Sequence, residues 1–360
     1  MTEPDDRPGL VDPGTLDADE VERRLLGRPA SMRRREISRE AEVSLVSARR
    51  FWHAMGFQIV EDEEPMFTEA DLVALQSVAR LTAESGVEEE LALAMTRALA
   101  RTADRLSVWQ TQLVAEYVMG DEQQPDLGEP DARAVEDIDV ARQAGARLVE
   151  LAGEIEPLMI YVWRRHLAGA INRMLADAQG NTAPTSPARV IGFADLVSFT
   201  TLVRRMSERQ LATLVQRFER LASDVVTTHG GRVIKTVGDE ILFIHTDPAA
   251  AAAIALDLVE AMAEDDVLPD VRVGMAWGTV VSRLGDVFGV TVNRASRLTA
   301  VTPSGRVLVD DELARRLGAV SGFEVLPQRR RQLRGIGTVR PAELQRSARG
   351  RRLGDLGRHI

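Results

Sequence analysis

Between residues 189 and 310 short β-like runs alternate with amphipathic helical patterns, and this limits the segment to a layered fold of sheet and helices. Strand signals fall at 189–196, 231–236, 240–245, 271–278 and 306–310. Between them, Ser207 can cap a helix whose apolar face runs Leu211, Leu214, Val215, Phe218, Leu221 and Val225, at spacings of three and four. Asp247-Pro248 opens an alanine-rich helix ending near Ala263, with the proline at a permitted first-turn position. The pattern predicts an α+β domain with helices on one side of the sheet and an interface on the other.

The rest of the chain reads differently. From Arg33 to Ala178 the spacing is helical, as in Asp71–Leu81, Glu88–Ala103 and the stretch from Glu136 to Gln179, broken only by Gly145, Gly153 and Pro157. Residues 1–30, rich in Asp, Pro and Gly, predict a mobile tail. The acidic run Gly120–Asp131 reads as a loop between helices. The domain plan is therefore a tail at 1–30, a helical domain at 31–178, a linker at 179–187, an α+β domain at 188–345 and a basic tail at 346–360. A chain of 360 residues with 44% apolar content can bury a core in each domain. It holds no cysteine, so disulfide frameworks and thiolate chemistry are excluded. With no apolar run of membrane-spanning length and no cationic leader, the expected location is the cytoplasm. A net charge of −10 argues against nucleic acid as the main partner.

Polar residues inside the strand patterns mark where chemistry rather than packing sets the sequence. Lys235 is the only lysine among 45 cationic side chains. Where nearly every cation is arginine, a retained lysine points to a need for a compact, directed ammonium, such as a donor to a ring nitrogen; a chance surface lysine is the competing explanation. Asp195 sits in the apolar run Val190–Thr200 and needs a partner there. Asp239 follows Gly238 in a hairpin turn and can bring a second carboxylate beside it; a turn cap is the plain alternative. Two carboxylates at one point call for a cation, and hard oxygen ligands suit magnesium. A helix from about Val290 puts Asn293 and Arg297, four apart, on one face, where both can reach one anionic centre. Asp286 precedes that helix.

These motifs together resemble a known family. Phe193-Ala-Asp195-Leu-Val-Ser-Phe-Thr200, Lys235-Thr-Val-Gly-Asp239 and Gly289-Val-Thr-Val-Asn293-Arg-Ala-Ser-Arg297 stand where class III nucleotidyl cyclases carry theirs, over about Arg189–Leu344. The resemblance is to the bacterial adenylyl cyclases that act as homodimers with a helical regulatory domain ahead of the catalytic one. It implies a ferredoxin-like βαββαβ core, ATP as substrate and two Mg2+ or Mn2+ ions per site held by Asp195 and Asp239. It further implies adenine read by Lys235 and Asp286, and a transition state steadied by Asn293 and Arg297. Each site would be shared between chains. Relatives often carry a triphosphate-binding lysine near the last strand; here only arginines occur, with Arg334 the candidate and a solvated strand edge an equal explanation.

Two further readings concern the helical domain. Ile37–Trp52, with Met55-Gly-Phe57 and Phe67–Asp71, has the form of a MerR-type winged helix-turn-helix, which would place Ser44, Ser47, Arg49 and Arg50 on a recognition helix. That makes a DNA-binding, nucleotide-sensing regulator the alternative function, against a bundle in which Phe51 and Trp52 are core. Met159, Ile160, Tyr161, Trp163, Leu167, Met174 and Leu175 can line a lipid cavity or serve as core. His53, His166, His229 and His245 are candidates for sensing acidity.

Overall fold

A computed structural model describes residues 11–57, 65–84, 86–121, 138–180, 188–283 and 285–347. The first ten residues, most of the acidic loop, positions 181–187 of the expected linker and the end of the basic tail lie outside them. The chain divides into two compact units, Met1–Asn172 and Arg173–Ile360, so the division falls before the linker expected at 179–187.

The first unit is helical: α1 (Ala18–Leu26), α2 (Arg34–Glu40), α3 (Leu45–Met55), α4 (Glu69–Ala83), α5 (Glu89–Asp121) and α6 (Ile138–Gly180), which runs on into the second unit. Residues 11–30 depart from the expected tail. Asp17 caps α1, Val11 and Leu16 are buried with Ala146, and the Val11 amide donates to Glu150. A few apolar side chains among acidic ones are enough to anchor this segment, which average composition hides.

α2 and α3 form a helix-turn-helix beside a Met32–Phe67 bridge. Phe51 and Trp52 are core, packed with Ile37 and Leu75. Ser44 spends its hydroxyl capping α3, and Arg50 is paired with Glu89 and Glu90, so two residues offered to a recognition surface are already engaged. The seven residues offered to a lipid cavity lie exposed along α6 instead of lining one; Tyr161 and Met174 are each 63% exposed.

The second unit contains β1 (Ala188–Leu196), α7 (Phe199–Val203), α8 (Glu208–Thr228), β2 (Arg232–Val237), β3 (Glu240–His245), α9 (Pro248–Ala263), β4 (Val271–Thr279), β5 (Val281–Arg283), β6 (Asp286–Phe288), α10 (Val290–Val301), β7 (Val307–Val309), α11 (Asp311–Leu317), β8 (Phe323–Pro327), β9 (Arg331–Leu333), β10 (Gly337–Val339) and β11 (Ala342–Arg346). Seven strands join in the order β2-β3-β1-β4-β7-β11-β8, antiparallel except for β4 with β7. Ser207 caps α8 in a reciprocal box with Gln210, and Asp247 caps α9 ahead of its proline.

Alternation along β1, β3 and β4 sends Val190, Ala194, Ile241, Phe243, Val273 and Met275 to one face, against Leu214 and Phe218 of α8 and Ile254 and Leu258 of α9. Ile191, Phe193, Leu242, Ile244 and Ala276 point to the other, where Ala295 of α10 packs on them. Helices therefore cover both faces, not one. The reason lies in two glycines: a Cβ at Gly274 would stand 2.2 Å from the Thr299 amide nitrogen, and one at Gly278 would stand 2.5 Å from Thr291 Oγ1. Their bare backbone lets α10 lie close on β4. Val237 on β2, Val281 on β5, Phe288 on β6 and Val290 on α10 remain 52–64% exposed.

Candidate active site

The β2–β3 hairpin turns at Gly238, whose φ of +61° suits glycine, and this brings Asp239 to the end of β1. The Leu196 amide donates to the Asp239 carbonyl at 3.0 Å. In the sheet register Asp195 stands between Glu240 on β3 and Arg272 on β4. Arg272 grips Asp195 through Nε at 2.7 Å and Nη2 at 2.5 Å, both to Oδ2. Burial raises the Asp239 carboxyl above its ordinary range, and the charge of Asp195 adds to the rise. Glu240 is pushed up to about 7, first by burial and then by Asp195 and Asp239, with Arg272 opposing.

Three carboxylates thus compete for one guanidinium, a local excess of negative charge that a divalent cation would neutralise. Among the described residues no group of three or more His, Asp or Glu is placed to hold an ion. Asp195 and Asp239 fit instead the magnesium habit of binding through one or two carboxylates, with substrate phosphates completing the shell. Glu240 and Arg272 escaped the sequence reading. Their signal was present: each is a charge next to apolar strand residues, in Glu240-Ile-Leu-Phe-Ile and Val271-Arg-Val-Gly-Met.

A pH dependence follows. The unfolded chain ionises Glu240 near 4.5, whereas the folded one holds the proton to about 7. Stability from this group is full below the lower value, falls as pH rises between the two, and stays low above. Melting temperatures measured without divalent ions should fall over that window, and Glu240→Gln should flatten the fall. An unchanged slope in the variant would refute the assignment.

A second cluster lies elsewhere on the domain. Lys235 Nζ donates to Asp286 Oδ2 at 2.6 Å, joining β2 to β6, and this bond is the main reason the Asp286 carboxyl lies below its ordinary range. The pair is partly open, with side chains 41% and 29% exposed. On α10, Asn293 and Arg297 are both exposed and share one side, as the spacing predicts. Arg334 is exposed in the tight β9–β10 turn, where Gly335 and Gly337 have φ of +77° and +98°. Among the described residues it makes no hydrogen bond or ion pair with the other candidates. His229 meets Asp257 at 2.5 Å, and His245 accepts from the Asp247 amide at 2.8 Å while facing the His229 carbonyl, so both are structurally engaged.

Residues 183–344 match the family model of the adenylate and guanylate cyclase catalytic domain. An adenylate cyclase of Glutamicibacter nicotianae is 40% identical over 337 residues, covering 90% of this chain and 81% of that one. An adenylate cyclase of Streptomyces coelicolor is 37% identical over 375 residues, covering 96% and 94%. A pH-sensitive adenylate cyclase of Mycobacterium tuberculosis is 32% identical over 324 residues, covering 87% and 78%. The chain belongs to the class III nucleotidyl cyclase family, among its adenylate cyclases. The alignments to the first two relatives span both the helical first unit and the mixed-sheet second unit, and no helix among the described residues is long and apolar enough to cross a membrane.

Proposed function

We propose that this protein converts ATP to 3′,5′-cyclic AMP and pyrophosphate, at sites shared across a homodimer and tuned by the helical unit. The observation that carries the base choice is the Lys235–Asp286 bond: a donor and an acceptor held side by side on one partly open surface. Lys235 can donate to adenine N1 while Asp286 accepts from the exocyclic amine, and guanine presents the reverse at both atoms. Mismatch at two such contacts discriminates strongly.

Cyclisation needs the ribose 3′-hydroxyl to attack the α-phosphorus while pyrophosphate leaves. Asp195 and Asp239 would hold the two divalent ions, which would lower the hydroxyl's proton affinity and share the phosphate charge. Asn293 and Arg297 face the charge that develops at phosphorus, and Arg334 supplies a further cation for the triphosphate. Lys235 lies within β2, whereas Asp239 lies in the turn that follows it, across which Val237 pairs with Glu240. Two distinct clusters suit one chain's base reader working opposite its partner's carboxylates, with the exposed Val237, Val281, Phe288 and Val290 covered by that partner.

The test is cyclic AMP formation from ATP by full-length protein with magnesium or manganese, beside a fragment starting at Pro187, between about pH 5.5 and 8. Absence of product from both would overturn the activity; a constant ratio between them across that range would remove acidity as the signal. Lys235→Ala should raise KM for ATP and bring GTP turnover closer to ATP turnover. An unchanged ATP preference would refute the base-reading role. Against a DNA-binding regulator, Ser44 and Arg50 of the helix-turn-helix already have intramolecular partners.

A further inference from the structure

Asp310 is the one charged residue fully buried among the described residues. Its Oδ1 accepts from the Leu313 amide at 2.9 Å, capping α11, and from the Trp277 amide of β4 at 3.3 Å. Its Oδ2 accepts from Arg294 Nη1 of α10 at 3.0 Å. Serine or threonine would cap α11 as well without placing a charge in the interior. Burial pushes the Asp310 carboxyl up even though all three bonds oppose the rise, so the charge is held there at a cost. The contact that requires the charge is the one to Arg294.

Arg294 follows Asn293 directly and lies one turn before Arg297. The depth of α10 on the sheet is set by Gly274 and Gly278, and its two ends are pinned by Thr291 Oγ1 to the Thr279 carbonyl at 2.8 Å and Thr299 Oγ1 to the Phe193 carbonyl at 3.4 Å. These contacts all lie along the sheet-facing line of the helix, which leaves roll about that line as the soft motion. A lateral arm resists roll. We propose that the Asp310–Arg294 pair is a positioning brace that fixes the rotation of α10, so that Asn293 and Arg297 meet the reacting phosphate at the required angle.

The inference rests on the reading that those two residues act there. A roll of about 10° moves a side chain 5–6 Å from the helix axis by roughly 1 Å. Misplacement of that size costs on the order of 10²-fold in rate.

The experiment compares full-length wild type, Asp310→Asn, Arg297→Ala and the double variant Asp310→Asn/Arg297→Ala. Asparagine keeps an acceptor for the α11 cap and the Trp277 amide but replaces Oδ2 with an amide NH2 group, which donates and cannot accept from Arg294. Expected for Asp310→Asn is a kcat lower by about 10- to 100-fold with KM for ATP within about twofold, and a double variant little slower than Arg297→Ala alone, because no arginine is then left for the brace to direct. A purely structural role would lower the melting temperature, leave kcat per folded molecule unchanged and multiply with Arg297→Ala; that result overturns the brace. If Asp310→Asn does not fold, Asp310→Asn/Arg294→Gln restores an amide-to-amide bond and should fold with part of the kcat. Folding of that pair at full kcat also overturns the brace. Should Arg297→Ala alone keep wild-type kcat, the reading of α10 fails and the brace falls with it.

Discussion

Asp195→Ala should abolish nearly all cyclic AMP formation while leaving the protein folded. The carboxylate stands at the centre of the site, between Glu240 and Arg272 in the register of three adjacent strands, and it is one of two candidate anchors for divalent ions. Metal-assisted charge stabilisation is worth several kcal/mol, and each 1.36 kcal/mol is tenfold in rate, so the expected loss is on the order of 10³-fold or more in kcat. Stability should move the other way. Without metal, Asp195 adds to the repulsion that raises Glu240 and Asp239, so its removal relieves both carboxylates, at the loss of the partly exposed Arg272 pair. A melting temperature equal to or above that of wild type near pH 8, together with lost turnover, separates a catalytic from a structural role. Wild-type turnover in Asp195→Ala would refute the metal assignment.

Much of this site was legible in the sequence because it is local. The five strands and two helices read between 189 and 310 were set by hydrophobic period and by caps at Ser207 and Asp247, which act within a few residues. Lys235, Asp239, Asn293 and Arg297 were visible as polar residues at fixed spacings within one or two turns. What escaped depends on register between distant segments. Arg272 meets Asp195 across 77 residues, and nothing in either segment alone specifies that pairing. Glu240 gains its meaning only from the pairing of β3 with β1, which sets it beside Asp195. The packing of α10 over the sheet was hidden for a similar reason: Gly274 and Gly278 matter for the space they leave, and that space has meaning only once the helix lies on it. The strands β8 to β11 are three to five residues long, too short for a period to emerge.

Arg297→Ala should lower kcat by about 10²- to 10³-fold, the usual loss when one preorganised donor to developing charge is removed. KM should change far less, because Arg297 is solvent-exposed on α10 and its guanidinium is asked to act on charge that appears only during attack. Arg297→Lys should recover little, since an ammonium cannot reproduce the planar fork that engages two oxygens at once. The same residue gives the sharpest test of the shared site. In a mixed dimer of Asp195→Ala with Arg297→Ala, one of the two sites collects both lesions and the other collects neither if carboxylates and arginine come from different chains. Mixing two inactive proteins should then restore activity in proportion to the mixed dimer formed. If both residues of one site came from the same chain, every site would carry one lesion and the mixture would stay inactive, so the outcome decides whether catalysis belongs to the chain or to the dimer.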